Sequence, residues 1–461
     1  MVRTGEGYRV LGHGSGDIAA SVEAEIVAGR MPPGSRLPTV RALAEQLGVS
    51  PATVAGAYRS LAARGLVAGR GRAGTTVAVR RSWSARTAPS LPPGVLDLAS
   101  GGPDPALLPD LRPALTAVAA DLDPDAGRSR PYGAPAGLPA LAELLARRIA
   151  AEDGPLPVAD GVQVVGGVLD GMQRVLSARL RPGDAVAVED PAYSATLDLL
   201  DVLGLVPVGV PVDAEGPLPQ RLERVLAGRD GPAPVAPVAL VVTVRAQNPT
   251  GAGLSARRAR DLAAVLTRHP GVLLVEDDHL GPAAGAPLHS IAALTRPPAW
   301  AHLHGLAKVL GPDLRLAGLA ADPVTAARVR DRLQVGPGWV SWLQQRLALH
   351  LLTDPGHPQL VVTAAATYAR RREALAQALE QRGVAVRPGQ GFNLWIPVAQ
   401  EAAVTQAALA AGVAVRPGEA YRIASPPGVR VTTSHLDDAL AGPVADVLAA
   451  AVNGRPTTPT P

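Results

Sequence analysis

Among 461 residues only one side chain is an amine: Lys308 is the sole lysine, and the other 43 of the 44 Lys and Arg residues are arginine. A guanidinium stays protonated and cannot attack a carbonyl, whereas a desolvated lysine amine can lose its proton and form a Schiff base. Lys308 is therefore the first candidate for covalent chemistry. It lies in His304-Gly305-Leu306-Ala307-Lys308-Val309-Leu310-Gly311-Pro312-Asp313-Leu314-Arg315, with an arginine seven residues on. An acidic pair, Asp277-Asp278, follows an apolar run, and Asn248-Pro249-Thr250-Gly251 reads by itself as a common turn. The absence of cysteine excludes disulfides, thiolate metal sites and thiol nucleophiles, and no metal site is expected.

These residues need a scaffold, and 461 residues suffice for two or three domains. A hydrophobic content of 47% fits a globular chain. No apolar run reaches the ~18–20 residues of a membrane span, and the polar start over residues 1–16 does not read as a signal peptide. A cytoplasmic protein is expected. Charge is unevenly divided: residues 1–86 hold 12 Arg and 5 acidic groups, net +7, while the remainder is net −3. A small basic domain ahead of a larger, slightly acidic one points to a phosphate backbone as partner of the former.

Ile18, Val22, Ile26 and Val27 recur at helical spacing over residues 17–29. Thr39 can cap a short helix ending at Gly48, and Ser50 can cap a second with Pro51 at its first position, where a missing N–H costs nothing. Two short helices around a tight glycine turn read as helix-turn-helix, and residues 65–80 alternate like a two-stranded wing. The run Gly34-Ser35-Arg36-Leu37-Pro38 through Gly48-Val49-Ser50 resembles the winged helix-turn-helix of GntR-type bacterial repressors. That resemblance implies double-stranded operator DNA as partner, with Arg36, Arg41, Thr53, Tyr58 and the wing glycines Gly71 and Gly74 at the DNA. Pro51-Ala52 departs from the basic residue common at the start of the recognition helix, so base readout rests on other side chains.

Residues 81–95 are rich in Ser and Pro and read as a semi-rigid linker. Beyond it, Val/Leu-rich runs at 162–165, 185–188, 206–210, 238–244 and 272–275 alternate with Ala/Leu/Arg helices. This alternation predicts a mainly parallel sheet covered on both faces. The expected organisation is a winged helix-turn-helix over 1–80, a linker over 81–95 and an α/β domain over 96–454.

In their order, the motifs of the large domain resemble those of fold-type I aminotransferases, which use pyridoxal 5′-phosphate (PLP). Joined to a GntR-like domain, they resemble the MocR family of regulators, most like its PtsJ-type branch. The resemblance implies a fold-type I domain with a smaller C-terminal α+β part and a homodimer. It makes Lys308 the Schiff-base lysine, Arg315 the clamp on the cofactor phosphate and Asp277 the partner of the pyridine nitrogen. Asn248 matches the residue bonded to the ring hydroxyl, Tyr193 the aromatic stacked on the ring, and Arg430 the arginine for an effector carboxylate. Tyr132 matches a tyrosine that reaches the phosphate of the neighbouring subunit.

The phosphate cup departs from the family pattern. Gly305 and Ala307 stand where hydroxyls commonly precede the lysine, and Gly166-Gly167-Val168-Leu169 also lacks Ser or Thr. Phosphate would rest on the backbone of Gly167, Val168 and Leu169 at a helix N-terminus, with Arg315. His279 stands where relatives have a tyrosine. The implied function is a DNA-binding regulator that senses PLP, an amine or an amino acid; active transamination is the alternative.

Overall fold

The computed structural model describes residues 2–3, 9–32, 34–63, 66–69, 74–77, 91–121, 136–153, 156, 161–230, 236–387 and 389–454. Tyr132 and Gly71, both expected at functional positions, lie outside them. The chain divides into two compact units, Met1–Pro89 and Ser90–Pro461.

In the first unit, helices span Ser15–Val27, Val40–Leu47 and Pro51–Ala63. Their limits follow from local chemistry. Thr39 accepts from the Ala42 N–H at 3.2 Å to start the second helix, which Gly48 ends at φ +66°, a conformation that a side chain disfavours. Ser50 Oγ then accepts the Thr53 N–H at 3.1 Å, and Pro51 opens the third helix. Ile18, Val22, Leu43, Val54 and Leu61 close the core between the three helices, each burial contributing about 1.5–3 kcal/mol. Strands Val67–Gly69 and Thr75–Val77 pair antiparallel as the wing, to which Arg36 adds a bridge with Thr76.

The second unit is built on an eight-stranded sheet. Its spatial order is Gln163–Val165, Ala317–Ala321, Trp300–Gly305, Leu273–Asp278, Ala239–Thr243, Ala185–Asp190, Val206–Asp213 and Gly216–Pro217. The strands from Trp300–Gly305 to Val206–Asp213 run parallel, while Ala317–Ala321 and Gly216–Pro217 oppose their neighbours. Both faces are covered, so the central strands are apolar throughout rather than alternating. Val186, Val188, Val241 and Val275 pack toward Met172 and Val175 of helix Val168–Arg179, and Leu240, Val242 and Leu274 toward Leu262 and Leu266 of helix Ala256–Arg268. Gly171 lets the first helix approach closely, since a Cβ there would collide with Leu303.

The C-terminal part carries the antiparallel strands Asn393–Pro397, Gly428–Thr432 and Arg416–Pro417 beneath helices His357–Glu380, Glu401–Ala410 and Ala441–Val452. Strand Leu96–Asp97 pairs parallel with Val413–Ala414, and the Leu96 N–H donates to the Gly412 carbonyl at 2.8 Å. The start of this unit is thus folded into its C-terminal part. Residues 98–104 then run from that sheet toward Lys308.

Thr39→Ala removes a helix cap without touching the core. It is expected to destabilise the first unit by about 1 kcal/mol, measured as an earlier thermal or denaturant transition while the second unit's transition stays in place.

Candidate functional site

Parallel strands that end at one edge of a sheet bring their terminal residues and following loops together, and the candidate residues of the large unit lie there. Lys308 occupies the four-residue helix Ala307–Leu310, two residues beyond strand Trp300–Gly305. Its Nζ donates to the Gly101 carbonyl at 2.7 Å and lies 5.7 Å from the centre of the Phe392 ring. Burial, reinforced by the charges of Arg430 and Arg315, pushes the amine down to about 8 from an ordinary 10.5. At pH 7 the neutral fraction is then a few hundred times that of a free lysine, roughly one molecule in ten.

Asp277, near the end of strand Leu273–Asp278, is buried, and its Oδ1 has no hydrogen-bond partner among the described residues. The half-buried His279 places Nδ1 3.4 Å from that oxygen, near enough for charge attraction but not bonded to it. Buried acceptors are rarely left open, so Oδ1 is positioned for a donor that the described residues do not supply. Arg430, on strand Gly428–Thr432, is also buried and has no carboxylate partner among the described residues. It donates through Nη1 to Asn248 Oδ1 at 3.2 Å and through Nη2 to the Ala99 carbonyl, and it lies 5.4 Å from the centre of the Tyr421 ring. A buried guanidinium bonded only to neutral acceptors attracts an anion. Tyr193 stands at the start of helix Ser194–Val202; burial and then Tyr421 raise its pKa, with the charges of Arg430, Asp277 and Arg315 also reaching it.

At the other end, helix Val168–Arg179 begins at Gly167, with φ +102° and no side-chain cap. The Arg315 guanidinium lies beside it, with Nη2 3.7 Å from where a Gly167 Cβ would stand. The backbone donors of Gly167, Val168 and Leu169 and an exposed guanidinium therefore share one locality, an arrangement suited to a phosphate. An amine able to take an aldehyde, an open carboxylate acceptor and this cup together fit PLP.

Several participants were not legible in the sequence. Gly101, Phe392 and Tyr421 reach the site from distant segments, and Glu189 ends a strand that reads as apolar core. Glu189 accepts the Thr243 hydroxyl at 2.9 Å, its Oε1 has no hydrogen-bond partner among the described residues, and burial raises its pKa to about 8, with the Asp277 charge adding to the shift. Glu276 and Asp278 flank Asp277 and belong to another network. Glu276 binds His302 Nδ1 at 2.9 Å and the Ser290 hydroxyl at 2.8 Å, while Asp278 takes the fork of Arg245 at 2.6 and 2.9 Å and His304 Nδ1 at 3.0 Å. Asp278, His302 and His304 can bring ligand atoms within 4.8 Å of one another, but both Asp278 oxygens are already engaged by a guanidinium.

In the first unit, Arg36 and Arg41 are exposed, and the Arg36 guanidinium lies against Gly74, where a Cβ would stand 3.0 Å from Nε. Thr53 is half-buried with its hydroxyl 2.8 Å from that of Ser50. Tyr58, expected at the DNA, is instead only 6% exposed and donates its hydroxyl to the Pro38 carbonyl at 2.9 Å. It faces inward because its position on the third helix shares the buried stripe of Val54, Ala57 and Leu61.

Glu189 gives a signed pH effect. Its carboxyl titrates near 4.5 when unfolded and about 8 when folded, so its contribution to stability is complete below the former and is lost as pH rises through the latter. Glu189→Gln is expected to flatten the fall in stability between pH 6 and 9 by on the order of a few kcal/mol. Parallel unfolding curves for the two proteins across that range would show an ordinary carboxylate instead.

Comparison with known proteins places this geometry in a family. The model for aminotransferase class I and II matches residues 93–448, and that for bacterial regulatory proteins of the gntR family matches residues 15–77. The chain is 37% identical to the vitamin B6 salvage pathway transcriptional repressor PtsJ of Salmonella typhimurium, over 93% of this chain and 96% of the relative. It is 30% identical to the HTH-type transcriptional regulator TauR of Rhodobacter capsulatus, over 80% of each chain. Among solved structures, LysN, the alpha-aminoadipate aminotransferase of Thermus thermophilus complexed with N-(5′-phosphopyridoxyl)-L-leucine, matches with a TM-score of 0.68 at 25% identity, covering 78% of this chain and 93% of that one. The kynurenine aminotransferase of Pyrococcus horikoshii shares the fold at the same TM-score of 0.68 and 21% identity, covering 78% of this chain and 91% of that one. The class I and II domain and the phosphopyridoxyl-bearing neighbour support pyridoxal 5′-phosphate as the cofactor. Since the likeness to PtsJ runs through both units and nearly the whole length of each chain, this protein belongs to the MocR family of DNA-binding transcriptional regulators.

Proposed function

We propose that the protein is a cytoplasmic, homodimeric sensor of vitamin B6 supply or of a B6-reactive amine: the winged unit binds operator DNA, and the large unit binds PLP on Lys308. The observation that carries this reading is a desolvated lysine amine with a pKa of about 8, in the same site as an Asp277 oxygen and an Arg430 that have, among the described residues, no hydrogen-bond donor and no carboxylate partner respectively. When bound, PLP supplies an aldehyde that an amine can attack and a ring that withdraws electrons. Asp277 would keep a proton on the ring nitrogen. Asn248 and His279 would meet the ring hydroxyl, Tyr193 would cover the ring face, and Arg315 with Gly167, Val168 and Leu169 would hold the phosphate, a task that the family resemblance extends to Tyr132 of the partner subunit. Arg430 receives the carboxylate of an amino-acid effector. The relative PtsJ is a transcriptional repressor of the vitamin B6 salvage pathway, which favours PLP itself as signal and repression as outcome here.

The two groups that would engage ligand both hold one backbone stretch, Arg430 at the Ala99 carbonyl and Lys308 at the Gly101 carbonyl. That stretch continues back through Leu96–Asp97 to the linker of the winged unit. A ligand that takes both groups removes both restraints and can therefore bind two arrangements with different affinity, which coupling to DNA requires. Turnover is a second reading, favoured by the joint presence of Lys308, Asp277 and Arg430; steady-state assays of amino acids with 2-oxo acids separate the two.

Because the chain has one lysine, borohydride reduction after PLP loading is expected to attach pyridoxyl to Lys308 and to no other side chain. Lys308→Ala should lose the visible absorption band; an unchanged band would refute the assignment. On DNA, Arg36→Ala and Arg41→Ala are each expected to weaken operator binding and to lower the salt slope by about 1. Salt-insensitive binding by residues 96–461 alone would overturn the placement of the DNA surface.

A further inference from the structure

The phosphate cup contains a charged pair of its own. Asp170, in the first turn of helix Val168–Arg179, folds back so that Oδ2 accepts the Gly166 N–H at 2.9 Å. One turn on, Arg174 clamps the same carboxylate through Nε and Nη2, both at 2.8 Å. The pair is mostly buried, with side chains 26% and 16% exposed, so solvent screens it only in part.

Asp170 and a phosphate seek the same things, the positive end of this helix and its unpaired backbone donors. A carboxylate already seated there repels a phosphate, and Arg174 offsets that repulsion. With no hydroxyl in Gly166-Gly167-Val168-Leu169 and Gly305 and Ala307 before the lysine, the cup has few other terms to mask the balance.

We propose that the Asp170–Arg174 pair sets the affinity of the phosphate cup, with Asp170 keeping cofactor retention weak enough for occupancy to follow the free concentration. This rests on the reading of the site as a PLP site. Asp170→Asn keeps the acceptor for the Gly166 N–H and removes only the charge, which separates electrostatics from loop anchoring. Arg174→Gln removes the opposing charge and leaves Asp170 unopposed.

The test uses the full-length protein and two probes that differ only in the phosphate, PLP and pyridoxal, with affinities read by absorbance titration. Asp170→Asn is expected to bind PLP about five- to tenfold more tightly and Arg174→Gln to bind it more weakly by a similar factor, with the double variant near wild type. Pyridoxal affinity should change less than twofold in all three. Equal effects on PLP and pyridoxal, or weaker PLP binding by Asp170→Asn, would overturn the proposal and leave Asp170 as a loop anchor. Thermal stabilisation by inorganic phosphate reads the cup without the cofactor. If the wild-type protein bound no PLP, the cofactor reading would fall, while phosphate stabilisation ordered Asp170→Asn, wild type, Arg174→Gln would still uphold the role of the pair and any other order would refute it.

Discussion

The site depends on an excess of positive charge gathered around one lysine. Burial of the Lys308 amine lowers its proton affinity most, and the buried Arg430 and the exposed Arg315 lower it further because neither guanidinium can lose its own proton. The Asp97 carboxylate is among the groups whose charge reaches Arg430 and offsets part of the excess. Desolvation first and this excess second favour the neutral amine, and an anionic ligand would relieve the repulsion. A ligand carrying a phosphate at one end and a carboxylate at the other relieves the repulsion, whereas a neutral or cationic molecule leaves it in place.

The scaffold that tolerates this excess is the strand Leu273–Asp278. Side chains on a strand alternate, so Asp277 reaches the site while Glu276 and Asp278 point to the opposite face. There they meet His302 and His304 across the paired register Glu276 with His302 and Asp278 with His304. Arg245 joins Asp278 to Glu152, 2.6 Å from its Nη1, so that each buried charge has a counter-charge. Breaking one such pair would leave a charge stranded in the core, at a cost of about 3–5 kcal/mol. The network fixes the strand, and the fixed strand aims Asp277.

The backbone beside Lys308 is tied to several parts of the large unit at once. The C-terminal part contributes Arg430 and Tyr421, and the two peptide N–H groups of Ile423 and Ala424 are captured by the Asp190 carboxylate at 3.0 and 2.8 Å. Residues 99–104 are held by Arg430, Lys308, Ser434 and Tyr368, each from a different element. Ordering at the lysine is thus shared between the sheet, the C-terminal part and the chain that leads to the winged unit.

Much of this was present in the sequence. A lone lysine among arginines, caps at Thr39 and Ser50, a glycine stop at Gly48, and apolar runs between helices are local signals, governed by side-chain chemistry and short-range backbone geometry. They marked the winged unit, the parallel sheet and Lys308, while Asp277, Asn248 and Arg430 were singled out by the resemblance to fold-type I aminotransferases. Tertiary structure decided what those signals do not encode. Tyr58 turned inward because the pitch of its helix put it on the buried stripe. Glu189 became a high-pKa acid because a strand end was covered on all sides, and Asp170 folded onto Gly166 because the first turn of its helix lay at the cup. Gly101, Phe392 and Tyr421 came to the site from segments 207, 84 and 113 residues away from Lys308 along the chain. Burial and long-range proximity depend on which surfaces pack together, and only the folded chain fixes that.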